Sequence, residues 1–244
     1  MKNFKLSLLA TLALVSASMA TTILPGSEQS LQSVLNSITT GGVSSVNVNT
    51  DQVNPDLYWA LTATGTSAAT MIIEIAGNAA SNTMGLYDLA DPTKRVTLFN
   101  GAATGGSKVA VTVDAAFNFK VIDLAVPALL SSNTFSGSNF GYFMTGGGNT
   151  FYSDYMLNEG TNDHMVAYAG KGDIVTIPGN LPSTWTPDEY ILAWEDLPLG
   201  SSDRDYNDMV VMVESVKPVP EPTTIGLMGL GILGLAFGAR RRKV

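Results

Sequence analysis

The densest group of potentially reactive side chains lies near the end of the long central region, between two apolar stretches at 190–194 and 209–216. It consists of Glu195, Asp196, Asp203, Asp205, Asn207 and Asp208. Carboxylates so close together repel one another, so solvent, Arg204, backbone amides or a cation must compensate their charge. Ca²⁺ takes six to eight oxygen ligands from acidic loops of this kind. The loop therefore predicts a Ca²⁺ site, and the alternative is a structural turn held by Asx hydrogen bonds.

The spacing of these acids resembles an EF-hand only in part. Asp203, Asp205 and Asn207 occupy the first three ligand positions of such a loop, and Glu214 occupies the twelfth. The sixth position requires glycine for a sharp turn but holds Asp208. Residues 209–213 read as a strand, which would carry Glu214 away. We therefore predict a β-loop site, with Glu195 and Asp196 contributed by the facing strand end.

Other catalytic chemistry has little support in the sequence. The chain has no cysteine and a single histidine, His164, and it lacks the G-x-S-x-G motif of a serine nucleophile. Glu195 and Asp205 could in principle act as the carboxylate pair of a glycoside hydrolase, but their loop is crowded. We predict that the protein is not an enzyme, with a glycan hydrolase as the weakest alternative.

A group of aromatic residues surrounds the glycines at 146–148. Its members are Phe140, Tyr142, Phe143, Phe151, Tyr152 and Tyr155. Flat rings of this kind stack on sugars, which would suit a Ca²⁺-assisted carbohydrate-binding module. Aromatic residues on alternate positions are also typical of strand cores, and that interpretation is favoured.

Net charge is distributed unevenly along the 244 residues, whose formal total is −8. Six of the 13 Lys and Arg residues lie at the two ends of the chain. The interior therefore contains the other seven together with all 21 acidic residues, and its net charge is −14. An interior this acidic argues against a nucleic-acid partner, which requires a basic face.

The N-terminus has the three parts of a secretory signal peptide. Lys2 and Lys5 precede an apolar run at 6–15, and small residues lead to a cleavage position after Ala20. The run is too short to cross a bilayer. We predict a signal peptide at 1–20, export through the Sec translocon and removal by signal peptidase.

The C-terminus combines a motif, an apolar segment and a basic end. In order, these are Pro220, Glu221 and Pro222, an uncharged helix at 223–239, and Arg240, Arg241 and Arg242. This arrangement resembles the PEP-CTERM sorting signal of Gram-negative bacteria, here a tail over 218–244. The resemblance implies an inner-membrane intermediate, cleavage by an exosortase, and delivery to the cell surface or extracellular matrix, often beside exopolysaccharide and biofilm genes. An anchor that is never cut is the alternative.

The sequence pattern of residues 21–217 predicts one acidic all-β domain. A 3.6-residue apolar period predicts one short helix at 28–39. Period-two segments predict a β-sandwich or jelly roll with strands at 43–49, 58–64, 70–76, 84–89, 95–99, 108–113, 117–122, 140–144, 165–169, 174–177, 190–194 and 209–216.

The end of this domain resembles the domain of unknown function 4114. The resemblance rests on residues 194–196 and 203–208, with weaker pieces at 84–99, 140–143 and 162–168, and so spans about 84–216. Ser201 and Ser202 stand where relatives often have glycines. The family implies an exported β-rich surface module without an established reaction. We therefore expect a structural or adhesive role in the matrix, with exopolysaccharide as a candidate partner and a carbohydrate-binding module as the alternative.

Overall fold

The structure is a computed structural model that describes residues 20–62, 66–74 and 79–220. The predicted leader up to residue 19 and the tail from residue 221 lie outside the described residues, and with them the predicted membrane helix at 223–239. Residues 20–220 form one compact unit. No helix among the described residues is long and apolar enough to cross a membrane.

The described chain is almost entirely β-structure. One helix, α1 (Leu31–Ile38), is followed by β1 (Tyr58–Leu61), β2 (Thr66–Glu74), β3 (Thr83–Asp88), β4 (Asp91–Phe99), β5 (Lys108–Val113), β6 (Asn118–Asp123), β7 (Ala128–Thr134), β8 (Asn139–Gly146), β9 (Asn149–Tyr152), β10 (Met165–Ala169), β11 (Ile174–Val175), β12 (Ser183–Thr184), β13 (Glu189–Trp194), β14 (Met209–Glu214) and β15 (Val216–Val219). The all-β prediction with one short helix is confirmed.

Two antiparallel sheets enclose the main core. One has the order β15-β1-β8-β3-β4 with β9 paired to β8, and the other has the order β10-β13-β14-β2-β5-β6-β7. Aromatic rings join them: Trp59 lies 5.0 Å from Tyr190, and Phe119 lies 5.8 Å from Phe140, centroid to centroid. Apolar residues on alternate positions of both sheets thus share one interior, the arrangement of a β-sandwich.

A second core covers the outer face of β10, β13 and β14. Helix α1 contributes Leu31, Val34, Leu35 and Ile38, which cluster with residues such as Ile191 and Val210. Their strand neighbours Leu192 and Val211 belong to the main core. Because both faces of β13 and β14 are buried, these strands are continuously apolar rather than alternating. They form a fixed base for the loop between them.

Helix α1 ends before Gly41 and Gly42, as the sequence predicts, but the prediction of a strand at 43–49 is wrong. Gly41 and Gly42 take positive φ values of 91° and 75° after α1. The next residues form turns instead of a ladder. Side chains of α1 replace the ladder partners: Gln32 accepts from the Val48 N–H, and Asn36 accepts from the Ser44 N–H.

Four strands were not predicted, namely β7, β9, β12 and β15. The edge strand β7 is mostly exposed and lacks a buried face, so its sequence carries no periodic signal. The predicted end of the domain at residue 217 falls within β15, whose pairing with β1 continues to Val219 opposite Tyr58.

Candidate functional site

The acidic loop joins β13 to β14, and strand pairing brings its two ends together. Trp194 is the direct partner of Met209 in the antiparallel ladder. Glu195 and Asp196 therefore leave the sheet beside Asn207 and Asp208, as predicted for a site at facing strand ends. The loop between them folds back over this end of the sheet.

Three of the six predicted residues come together. Glu195, Asp203 and Asp205 each offer a carboxylate oxygen, and these oxygens all lie within 4.8 Å of one another. Ca²⁺ binds oxygens at about 2.3–2.6 Å, so two ligands of one ion lie no more than about 5 Å apart. Glu195 and Asp205 are buried, whereas Asp203 is exposed. We call these three residues the acidic triad; it has the spacing for one cation and an opening to solvent.

Glu195 is the deepest member of the acidic triad. Its side chain is 0% exposed, and its Oε1 accepts a hydrogen bond of 2.9 Å from the Tyr206 N–H. Its Oε2 is buried without a hydrogen-bond partner among the described residues. Burial, together with the charges of Asp203 and Asp205, raises the pKa of Glu195. Oε2 is thus a buried acceptor without a hydrogen bond of good geometry, and the Ser202 hydroxyl nearby offsets part of the rise in pKa.

Asp205 is held in place by an amide side chain. The Asn207 Nδ2 donates to Asp205 Oδ2 and to the Gln29 carbonyl, both at 2.7 Å. Burial and the neighbouring charge of Asp203 raise the pKa of Asp205 to about 6. Asn207 therefore orients the triad, and its amide is already committed to this task.

Asp196 and Asp208 form a separate arrangement. Asp208 Oδ2 accepts a 2.8 Å hydrogen bond from the Asp196 N–H, and Asp196 Oδ2 accepts one of 3.1 Å from Asn82 Nδ2. Burial, followed by the charges of Asp196 and Glu195, raises the pKa of Asp208 to about 8. A carboxyl group with this pKa is protonated at neutral pH in the absence of a cation. Neither residue joins the triad.

The loop backbone is unusual at two positions. Arg204 and Tyr206 have φ values of 60° and 55°, which residues other than glycine, asparagine and aspartate rarely adopt. Arg204 does not neutralise the triad by an ion pair in the described part of the chain; its Nε instead donates to the Leu199 carbonyl. The acidic charge is thus left for something else to balance.

The N-terminal segment closes the site from the side, which the sequence did not reveal. A Cβ atom placed on Gly26 would lie 2.0 Å from Asp205 Oδ2 and 2.6 Å from Asp203 Oδ2. The Leu24 N–H donates to the Arg204 carbonyl, and Gln29 accepts from Asn207. Only glycine permits this close approach. No local sequence pattern predicts a contact between two segments so far apart in the chain.

His164 is a structural residue. It is 2% exposed and stacks on Phe151 with ring centroids 3.9 Å apart. Burial lowers its pKa to about 4, so the imidazole is neutral at physiological pH. Its Nδ1 lies 3.4 Å from the Glu195 carbonyl oxygen, which ties it to the base of the acidic loop.

Most of the aromatic group belongs to the interior. Phe140, Tyr142, Phe143 and Phe151 are at most 6% exposed, which agrees with the core interpretation. Tyr152 and Tyr155 are half-buried. The Tyr152 hydroxyl accepts a hydrogen bond from Arg95 Nη2. Four of the six rings are therefore unable to stack on a sugar.

The predicted processing positions lie at the two ends of the described chain. Ala20 and Pro220 are both exposed. Glu221, Pro222, Arg240, Arg241 and Arg242 lie outside the described residues.

Comparison with known families agrees with both resemblances. Residues 123–216 match the domain of unknown function 4114, and residues 218–243 match the PEP-CTERM protein-sorting motif. The earlier piece at 84–99 lies outside the matched range. Searches of curated proteins and of solved structures found no match. The sorting motif marks an exported protein that is processed at the membrane by an exosortase.

Proposed function

We propose that the mature domain is a non-enzymatic structural or adhesive component of the cell surface or extracellular matrix, and that Ca²⁺ bound by the acidic triad stabilises it. Two findings support this. The sorting motif directs an exported protein to exosortase processing, and three carboxylates converge at the end of a rigid pair of strands.

The unpartnered Glu195 Oε2 is the observation that carries the calcium proposal. A buried carboxylate oxygen without a donor costs free energy unless a cation or hydrogen bond satisfies it. Glu195, Asp203 and Asp205 supply hard oxygen ligands, which suit Ca²⁺. Backbone carbonyls or water would complete the coordination of a six- to eight-coordinate ion. Extracellular Ca²⁺ modules of this kind have dissociation constants of about 10⁻⁴–10⁻³ M.

Calcium would join three parts of the domain. Glu195 follows β13, Asp203 and Asp205 lie in the loop leading to β14, and Gly26 of the N-terminal segment packs against them. The chain has no cysteine, so disulfides cannot provide this connection outside the cell. A bound ion would therefore replace a covalent link.

Processing would leave the domain whole. In our proposal, signal peptidase removes residues 1–20, and the tail at 218–244, with its membrane helix at 223–239, holds the precursor in the inner membrane. An exosortase then cuts near Pro220-Glu221-Pro222. Because β15 ends at Val219, a cut at this motif spares every strand of the described domain.

The experiment is thermal unfolding of the chain from Thr21 to Pro220 in Ca²⁺ and in EDTA. At a Ca²⁺ concentration about 100-fold above the dissociation constant, binding adds about 2.7 kcal/mol, or about 5–10 °C in Tm for a domain of this size. Glu195→Gln, which keeps the acceptor for the Tyr206 N–H, should abolish the shift. Asp188→Asn, at an exposed position outside the triad, should retain it. Equal melting temperatures in Ca²⁺ and EDTA would refute the proposal.

A carbohydrate-binding role is tested separately. A glycan array probed in Ca²⁺ buffer, including exopolysaccharide, should show no binding if the role is structural. Binding that EDTA abolishes would instead support the Ca²⁺-assisted carbohydrate module.

A further inference from the structure

A second pair of buried acidic residues precedes two strands, Asp56 before β1 and Asp163 before β10. Asp56 is 9% exposed, and burial together with the charge of Asp163 raises its pKa well above the usual range. Burial also raises the pKa of Asp163. Among the described residues, neither aspartate has a Lys, Arg or His side chain within ion-pair distance. The pair therefore lacks a counter-charge.

The other titratable groups around this pair do not supply one. Tyr206 donates its hydroxyl proton to the Asp163 carbonyl at 2.6 Å, and Tyr168 donates its own to the Val48 carbonyl. Asp51 nearby adds negative charge, and the cation Lys171 is paired with it at 2.6 Å. A cation at the Asp56–Asp163 pair must come from elsewhere.

Thr21 is docked at this pair. Its Oγ1 donates to Asp163 Oδ2 at 2.6 Å, and its backbone N–H donates to Gln52 Oε1 at 2.8 Å. Gln52 Nε2 donates back to the Thr21 carbonyl at 2.8 Å. Within a threonine, the nitrogen and Oγ1 are about 3 Å apart. The Thr21 nitrogen therefore lies within about 6 Å of Asp163 Oδ2, a range over which charges interact strongly.

We propose that cleavage after Ala20 turns Thr21 into the N-terminus of the domain, and that its α-ammonium group is the counter-ion of Asp163. Hydrolysis adds water to the Ala20–Thr21 amide bond. The Ala20 carboxylate leaves with the signal peptide, and the Thr21 amine takes up a proton at neutral pH. The domain gains one positive charge beside its unpaired acids.

This inference rests on the proposed cleavage position but not on the calcium site. The precursor offers one N–H at Thr21, which Gln52 already accepts. The mature end offers three, so two donors become available to the carboxylates. The domain thus contains a binding site for its own processed N-terminus. Removal of the signal peptide supplies the positive charge that this site lacks.

The test compares chains beginning at Thr21 and at Ser18, both ending at Pro220. The longer chain keeps the natural Ser18-Met19-Ala20 sequence. Ala20 is exposed, so the extra residues need not disturb the contacts of Thr21; they move the charge by up to about 10 Å. The Ser18 chain should melt about 3–12 °C lower, the effect expected from the loss of one charge-assisted hydrogen bond.

Asp163→Asn supplies the second arm of the test, because asparagine keeps an acceptor for Thr21 Oγ1. In this background the two chain lengths should differ by less than about 1 °C. If the variant fails to fold, the pKa of the α-amino group is measured instead in the wild-type chain that begins at Thr21. A neighbouring carboxylate should raise this pKa above the usual range of about 7.7–8.0. Equal melting of the two wild-type lengths, or an unshifted α-amino pKa, would overturn the proposal.

Two further measurements distinguish this proposal from the calcium proposal and test the cleavage position. The difference between the chain lengths should be the same in Ca²⁺ and in EDTA, so a failed calcium site would leave it intact. N-terminal sequencing of the exported protein should give Thr21 first, and a different first residue would overturn the proposal.

Discussion

The acidic triad and the Asp56–Asp163 pair both bury carboxyl groups without a basic partner among the described residues, and Tyr206 contacts both groups. Tyr206 donates its backbone N–H to Glu195 of the triad and its hydroxyl to the Asp163 carbonyl. The triad includes the exposed Asp203 and can take an ion from solvent. The pair is covered by Thr21 instead. In our two proposals the buried negative charge is balanced differently, by a cation from solvent at the triad and by the processed N-terminus at Asp163.

Asn207→Asp should have the largest effect, and only on the triad side. The change removes the donors to Asp205 and to the Gln29 carbonyl and adds a charge at a buried position. Without Ca²⁺ we expect a loss of about 3–5 kcal/mol, or about 6–20 °C in Tm. Ca²⁺ should restore part of this loss, because the new carboxylate is itself a possible ligand.

The matched control is Asn139→Asp, at an exposed position of β8. It should change Tm by less than about 2 °C. The effect of the N-terminal extension should survive in the Asn207→Asp protein. If Asn207→Asp melted like the control, the triad would not depend on this amide.

Gly26→Ala should weaken calcium binding with a smaller effect on folding. The new Cβ atom would overlap the carboxylates of Asp205 and Asp203 and displace them. Disturbing residues that orient metal ligands costs about 10- to 100-fold in affinity. The control is Gly137→Ala, where a Cβ atom meets nothing within 4 Å. Titration of both variants with Ca²⁺ checks the expectation, and equal affinities would show that the N-terminal segment does not shape the triad.

The pH dependence in EDTA tests the separate Asp196–Asp208 arrangement. Asp208 has a pKa of about 8 in the folded protein, against about 3.9 when unfolded. Between these values the folded chain keeps a proton that the unfolded chain releases, so stability is highest at low pH and falls as pH rises towards 8. We expect Tm to drop steadily from pH 5 to pH 8, which thermal unfolding at a series of fixed pH values in EDTA measures. Asp208→Asn should make this slope shallower, and the other buried carboxyl groups whose pKa is raised should supply the remainder. A Tm that rises with pH would contradict the assignment.

The base of the site could be predicted from the sequence because the strands that carry it are strongly apolar. The runs at 190–194 and 209–213 required two paired strands, and their pairing placed Glu195 beside the end of the loop. Which acids converge could not be predicted. That choice depends on the left-handed backbone at Arg204 and Tyr206, whose residue types do not favour it.

The contribution of the N-terminal segment could not be predicted for a different reason. Gly26 and Gln29 contact the loop through the tertiary fold, and Asn207 is 178 residues from Gln29. The same is true of Thr21 and Asp163, which are 142 residues apart. Spacing and composition describe neighbours in the sequence, whereas these contacts join its two ends.

Calorimetric titration of Ca²⁺ into the metal-free chain from Thr21 to Pro220 tests the central claim most directly. We predict one ion bound per chain, no binding in Glu195→Gln, and unchanged binding in Asp188→Asn. Absence of binding at millimolar Ca²⁺, or binding that Glu195→Gln leaves unchanged, would contradict the assignment of the acidic triad as a calcium site.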